Sequence, residues 1–541
     1  MDRKPTYYQR LMFNLAGKFL SLQFYSILFL SIAFGQLQEE ANLLINELGC
    51  GNCHAGLEKS SLMANRAPDL SHAGSKYNTS YIYDYLQSPH SVRKNIGRSR
   101  MPNYNFSDKE AFALSIYLAS KKSNISKNYT IERKTDLNAS QLIINDYQCT
   151  SCHVVNNTGK NNSISLNTTG ARLKRSWIYE TILYPQNHLL GTAMPMFFDD
   201  KDQSSLMVVS AMTNFIERIS TPQLKQLDKD FKKAQSTFSD MSIEDGQKIF
   251  QSQNCTACHD MKDEISWFDK HNAPDLSGQK MRTKKSWLLS YLKNPKPIRP
   301  NGYFPGTGSR MPVFDHTDKE IELLVERFGS DKQKTQLPNI SEFQSNKIEN
   351  LLTNHLSCLG CHQLNGEGGM VGPDLTNASD RLTDGYIKMA IEMPHLVMPE
   401  SIMPKQNLDK KTTALLQSYL AVKRDPQKTQ YLSLLDDNIY KVSSDYVANC
   451  ASCHGLNGKG DGFNAKYLPV APGNLSDAKT ISSRSDDTLY ETLYNGGKIM
   501  KKHHFMPAWG LKLSHQEIVE HVNVIRKLCN CSPPQWSKNK K

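Results

Sequence analysis

The sequence has no apolar run long enough to cross a bilayer. Its longest, Phe19 to Phe34, covers 16 residues and is interrupted by Gln23 and three serines, short of the ~20 residues a spanning helix needs. A bundle of membrane helices is excluded. A concentrated basic face is missing too. The formal charge is +12, from 65 Lys and Arg against 53 Asp and Glu, but the lysines are scattered through polar stretches rather than gathered on one periodic face, so no nucleic-acid partner is expected. Cysteine numbers only 12 in 541 residues, and ten of the twelve fall into a single pattern.

That pattern is Cys-x-x-Cys-His. It occurs as Cys50-Gly51-Asn52-Cys53-His54, Cys149-Thr150-Ser151-Cys152-His153, Cys255-Thr256-Ala257-Cys258-His259, Cys358-Leu359-Gly360-Cys361-His362 and Cys450-Ala451-Ser452-Cys453-His454, at intervals of about 90 to 105 residues. Two thiols two residues apart match the two vinyl groups of one haem, and the adjacent imidazole can take the iron. The competing reading, a structural zinc site, needs four closed ligands. No second Cys or His pair follows any copy. Five covalently bound haem c groups are therefore expected, and their propionates would lower the net charge to roughly +7.

Covalent haem attachment takes place outside the cytoplasmic membrane, which places the mature chain in an oxidising compartment. Arg3, Lys4 and Arg10 followed by the apolar run and Ala33-Phe34-Gly35 suit an export signal cleaved after Gly35. An uncleaved anchor reaching back past Lys18 to Leu11 is the alternative. The periplasm, or the outer side of the cytoplasmic membrane, is the expected location. The remaining Cys529 and Cys531 could bond each other, cross-link a partner or stay free. A structural role is favoured, because a lone Cys-x-Cys has no nearby His.

A repeat near 95 residues implies five small units rather than one large core. Each is predicted to hold a short helix, the Cys-x-x-Cys-His loop, an irregular wrap, a Met-Pro and a closing helix. Ser107, Thr317 and Ser514 with Glu110, Glu320 and Glu517 form capping boxes that open closing helices. Ser242 with Asp245 starts the first helix of the third unit. Gly246 on that helix, matched by Ala41 and Ser140, is small enough to let a second helix cross closely. The expected domains are residues 36–125, 136–222, 240–330, 341–424 and 430–531, after the leader 1–35. Polar stretches at about 121 to 137, 221 to 240, 331 to 341 and 421 to 435 are predicted linkers, with Leu224 to Phe231 a candidate short helix.

A haem iron held by one His has a second axial position to fill. Met101, Met194, Met311, Met403 and Met506 each precede Pro and follow their histidines by 47, 41, 52, 41 and 52 residues. A lone Met is ordinarily core filler, but five in the same frame point to iron ligands. Met196, Met398 and Met500 are nearby alternatives, as are His90, His188, His316, His395, His503 and His504. Pro68-Asp69-Leu70, Pro274-Asp275-Leu276, Pro373-Asp374-Leu375 and the looser Pro472-Gly473-Asn474-Leu475 follow their loops. A carbonyl there is expected to accept the proximal His N–H and fix its tautomer. The second unit has no such Pro in Asn161 to Leu166, leaving its proximal side the least defined.

With these motifs in order, each unit resembles a class I c-type cytochrome domain, over nearly all of residues 38 to 530. The fifth is similar to small soluble cytochromes and c-type oxidase subunits, and the fourth to haem domains fused to bacterial dehydrogenases. The resemblance implies an all-α fold of five tandem class I cytochrome c-like domains joined by polar linkers. It implies that Cys50, Cys53, His54 and Met101 hold one haem, with the matching residues in each later unit, and that each domain shuttles one electron. The expected function is single-electron transfer to or from an oxidase, reductase or dehydrogenase. The alternatives are a peroxidase or small-molecule oxidoreductase, with the second haem the natural candidate for an open position, and a fixed subunit of a membrane complex. Alternating long and short spacings in the first four units suggest two diverged pairs.

Overall fold

Helices dominate the computed structural model, which describes residues 35–59, 67–90, 92, 101–122, 130–188, 192–261, 273–295, 298, 311–331, 337–356, 358–369, 371–398, 401–422, 444–498, 502–503 and 505–538. Residues 1–34 of the leader, Met500, His504, much of the expected linkers around 123 and 331, nearly all of that around 421 to 435, and the side chain of His188 lie outside the described residues. Each repeat opens with a helix: α1 over residues 35–48 in the first, and π-turns Leu142–Asp146 and Leu351–His355 at the matching place in the second and fourth. In the first three repeats a residue in the left-handed region, Gly49, Gln148 or Asn254, directly precedes the first cysteine. That conformation stops the helix and turns the chain into the loop.

The closing helices start where their caps predict. The Ser107, Thr317 and Ser514 boxes are formed on both sides, at Asp108–Ser120, Asp318–Phe328 and His515–Cys529. Each cap gives two orphaned N–H groups a partner. Replacing Ser514 by Ala should therefore lower the local stability of its helix by ~1 kcal/mol, read as faster amide exchange over residues 515–529. Unchanged protection there would remove the cap from the account. Among the described residues the only named strands are Gln363–Leu364 and Glu367–Gly368, antiparallel, with Gln363 opposite Gly368. Cys529 and Cys531 bond each other, so the cross-link to a partner considered above is not made by these two sulfurs.

The largest departure from the expected order lies between the first and third repeats. Label the packing helices of the first repeat α2 (Thr79–Gln87) and α3 (Asp108–Ser120), and the closing helix of the second α4 (Gln203–Thr237). The stretch 221–240, expected to be a linker, is mostly the continuation of α4, with Pro222 inside it. Thirty-five residues at 1.5 Å each carry the chain about 50 Å. Its second half lies on the first repeat. Phe231 meets the rings of Tyr83 and Phe112, Phe238 meets Phe112, and Ser80 donates to Asp228 at 2.7 Å.

The helix that follows, α5 (Ile243–Ser252), is thus delivered to α3 of the first repeat. A Cβ on Gly246 would stand 2.1 Å from the Ala113 carbonyl oxygen. The small residue does permit a close crossing, with a helix of another repeat. Ile249, Phe250 and Met261 bury with Ala73, Leu86, Phe112 and Tyr117. Reciprocally, Ala41, Leu44, Ile45 and Leu48 of α1 bury with Leu288, Leu292, Ile321 and Phe328, from Lys285–Lys293 (α6) and Asp318–Phe328 (α7). Each of these two cores thus draws on both expected domains, 36–125 and 240–330. One body joins 35–59 to 273–331, and the other joins 67–122 to the end of α4 and residues 241–261. In the second, fourth and fifth repeats, residues 143–216, 348–420 and 446–529 each gather their own core.

Two similar joints connect neighbours. Tyr77 bridges Leu173, with Asn78 N–H on the Arg172 carbonyl and Lys174 N–H on that of Lys76. Thr283 bridges Leu382, with Thr383 N–H on the Arg282 carbonyl and Lys284 N–H on that of Arg381. Recurrence of the joint at equivalent positions supports two diverged pairs among the first four repeats.

Candidate haem-attachment sites

In every repeat the His N–H closes a turn on the carbonyl of the first cysteine, at 2.8 to 3.0 Å. Residues i, i+3 and i+4 of one turn share a face, so both thiols and the imidazole of each motif are directed to the same side. The turns are Cys50–Asn52, Cys149–Ser151, Cys255–Ala257 and Cys358–Gly360 in 3-10 form, and Ala451–His454 in α form.

Each imidazole has its Nδ1 on a backbone carbonyl: His54 on Pro274 at 2.9 Å, His153 on Ile164 at 2.7 Å, His259 on Pro68 at 2.9 Å, His362 on Pro373 at 2.8 Å and His454 on Gly473 at 2.9 Å. A carbonyl can only accept, so Nδ1 carries the proton and Nε2 presents a lone pair suited to iron. Burial pushes His54, His153, His259 and His454 below the usual imidazole range, which keeps them neutral as a metal ligand requires. The second repeat makes this bond without a Pro, because the carbonyl and not the ring is what the histidine needs. In the fifth repeat the acceptor is Gly473 rather than Pro472. The acceptors of the first and third histidines are exchanged.

Desolvation pushes the thiols of Cys50, Cys255, Cys361 and Cys450 up to about 12, and those of Cys258 and Cys358 to about 11. Cys53, Cys149 and Cys453 are raised for the same first cause. Thiols in such surroundings are poor thiolate ligands, and among the described residues no group of three or more His, Cys, Asp or Glu is arranged to hold a metal ion. A thioether sulfur carries no charge, so attachment through carbon–sulfur bonds suits these desolvated cysteines. Covalent haem therefore suits the residues present.

The methionines divide by environment. Met194 packs on the core that includes Cys149, whereas its neighbour Met196 is 64% exposed. Met506 packs on the core of the fifth repeat. Met403 and Met398 are both half-buried, so burial does not separate them. Met101 packs on the cluster containing Cys255, and Met311 on the cluster containing Cys50. Of the competing histidines, His90 and His395 are exposed, while His316 and His503 are half-buried.

Sequence reasoning missed that the attachment loops meet. Asn52 donates to the Ala257 carbonyl at 2.7 Å. The Met-Pro segments that follow pair through reciprocal 2.8 Å bonds between Asn103 and Val313. Tyr104 stands beside this pair, its phenol held well above its usual range by desolvation and then by Cys255, Cys53 and Cys258. The fourth and fifth loops also adjoin: a Cβ on Gly360 would touch Leu468, and one on Gly369 would touch Asn464. No motif announces such contacts between repeats.

The cytochrome c family model matches residues 243–326 and again 349–421, and that of cytochrome c oxidase, cbb3-type, subunit III matches residues 438–523. The chain is thus an all-α protein carrying cytochrome c domains, a haem-based electron-transfer cytochrome. No curated protein and no solved structure matches the sequence. Among the described residues no helix is long and apolar enough to cross a membrane.

Proposed function

We propose that the chain is a pentahaem c-type cytochrome that passes single electrons through five His/Met-coordinated haems, outside the cytoplasmic membrane, in exchange with a respiratory oxidase or reductase. The observation that carries this reading is the fivefold recurrence of one arrangement, a Cys-x-x-Cys-His turn with its imidazole Nδ1 on a carbonyl. When bound, haem supplies a one-electron ferric–ferrous couple. The protein's part is to hold and tune it. Paired cysteines anchor it, the carbonyls fix His54, His153, His259, His362 and His454 as Nε2 ligands, and Met101, Met194, Met311, Met403 and Met506 supply the thioethers that favour the ferrous state. The match of residues 438–523 to an oxidase subunit favours an oxidase-related partner.

The enzyme alternative rested on an ill-defined proximal side in the second repeat. His153 has its carbonyl and Met194 packs against the core, which favours a second repeat built like the others. Electron paramagnetic resonance of the oxidised protein should show low-spin iron throughout, and Met506→Ala should remove about a fifth of the methionine-to-iron charge-transfer band and lower one potential. A high-spin ferric fraction in the unaltered protein, or an intact band in the variant, would overturn the assignment.

A further inference from the structure

The same two hydrogen bonds tie each of the first four attachment loops to the segment that follows it in the fold. In the second repeat His153 donates to Ile164 and Leu166 N–H reaches the Val154 carbonyl at 3.0 Å. In the fourth, His362 donates to Pro373 and Leu375 N–H reaches the Gln363 carbonyl at 2.9 Å. Both bonds stay within one repeat. In the first and third repeats the same pair is made crosswise. His54 donates to Pro274, with Leu276 N–H on the Ala55 carbonyl at 2.9 Å, and His259 donates to Pro68, with Leu70 N–H on the Asp260 carbonyl at 2.9 Å.

Everything packed around these loops follows the exchange. The helix leading into Cys50 buries against α6 and α7, and the helix leading into Cys255 buries against α3. Ion pairs repeat the pattern, Glu40 with Lys319 at 3.6 Å and Asp240 with Lys109 at 3.3 Å. In the second repeat, Met194 is the methionine of a Met-Pro pair that packs against the same core as the first cysteine. By that criterion Cys50 has Met311, and Cys255 has Met101.

We propose that the haem anchored by Cys50, Cys53 and His54 is capped by Met311, and the haem anchored by Cys255, Cys258 and His259 by Met101. The proposal rests on His/Met coordination as read above. Neither repeat then builds a complete pocket alone, although the third matches a cytochrome c model over a contiguous stretch. The arrangement is an element swap within one chain, in which each partner donates its attachment helix and loop and keeps its Met-Pro and closing helix. It closes on itself through Asn52 with Ala257 and Asn103 with Val313. Completing the first haem site therefore requires residues more than 200 positions further along the chain.

The test removes one haem and asks which methionine it leaves unemployed. In a Cys255→Ala/Cys258→Ala background, four haems remain. Adding Met311→Ala should remove about a quarter of the remaining methionine-to-iron band, whereas adding Met101→Ala, whose haem is already gone, should cost no more. The reverse result would place ligation within each repeat and overturn the exchange while leaving His/Met coordination standing. Loss from neither would sink His/Met coordination and this proposal with it. A second measurement needs no variant. Zero-length carbodiimide coupling of the five-haem protein should join Glu40 to Lys319, and a Glu40–Lys109 product in its place would refute the crosswise packing.

Discussion

Alanine at Cys255 and Cys258 should unfold a part of the chain that precedes them by more than 130 residues. The variant should lose amide protection over Asp108–Ser120 and Thr79–Gln87 together with Ile243–Ser252, while Asp318–Phe328 stays protected. The reason is the shared core, in which Ile249, Phe250 and Met261 bury with Tyr83, Phe112, Leu114 and Tyr117, and Met101 and Cys255 pack against its edge. A porphyrin held there would supply much of the apolar contact of that body. At roughly 24 cal/mol per Å³, a few hundred Å³ left unfilled costs more than ~5 kcal/mol, which is on the scale of a whole domain's stability. Hydrogen exchange read by mass spectrometry locates the damage. Loss confined to residues 273–331, with 67–122 untouched, would contradict the exchanged architecture.

Valine at Gly246 should be nearly as harmful. At this crossing of α5 over α3 an added Cβ meets the Ala113 carbonyl oxygen at 2.1 Å and Tyr117 Cβ at 2.5 Å. Backbone cannot yield as a flexible side-chain tip would, so the helices must separate. Ile249 and Phe250, now 0% and 1% exposed, would lose their packing. Strain of ~1–3 kcal/mol from the inserted methyls adds to ~2–5 kcal/mol for disrupted large side chains. Gly278 provides the control, because a Cβ there has nothing within 4 Å. The urea midpoint of Gly246→Val should fall well below those of Gly278→Val and the unaltered protein. Equal midpoints for the two variants would mean that α5 does not cross α3.

The methionine assignments and the fourth-repeat choice between Met403 and Met398 depend on spectroscopy more than on burial. The capping boxes, by contrast, were legible residue by residue, since a Ser or Thr and a Glu three positions on satisfy each other without help from distant chain. The long helix α4 also left a trace. Leu224, Leu227, Phe231, Ala234 and Phe238 recur at alternating steps of three and four, a narrow apolar stripe among lysines and aspartates. Its high charge made 221–240 resemble a linker, and only the first repeat, by covering that stripe, shows what it is for.

Five attachment turns, their histidines, the caps and the all-α class are local features, legible in the residues alone. Each depends on residues within a few positions, where covalent spacing fixes the geometry. Which repeat completes which pocket was decided by the tertiary structure alone. The first and third repeats present similar helices and similar loop carbonyls, so a histidine finds the same hydrogen bond in its own repeat or in the other. The choice falls to the 35-residue helix that returns the chain to the first repeat and to the one glycine that lets the next helix dock there.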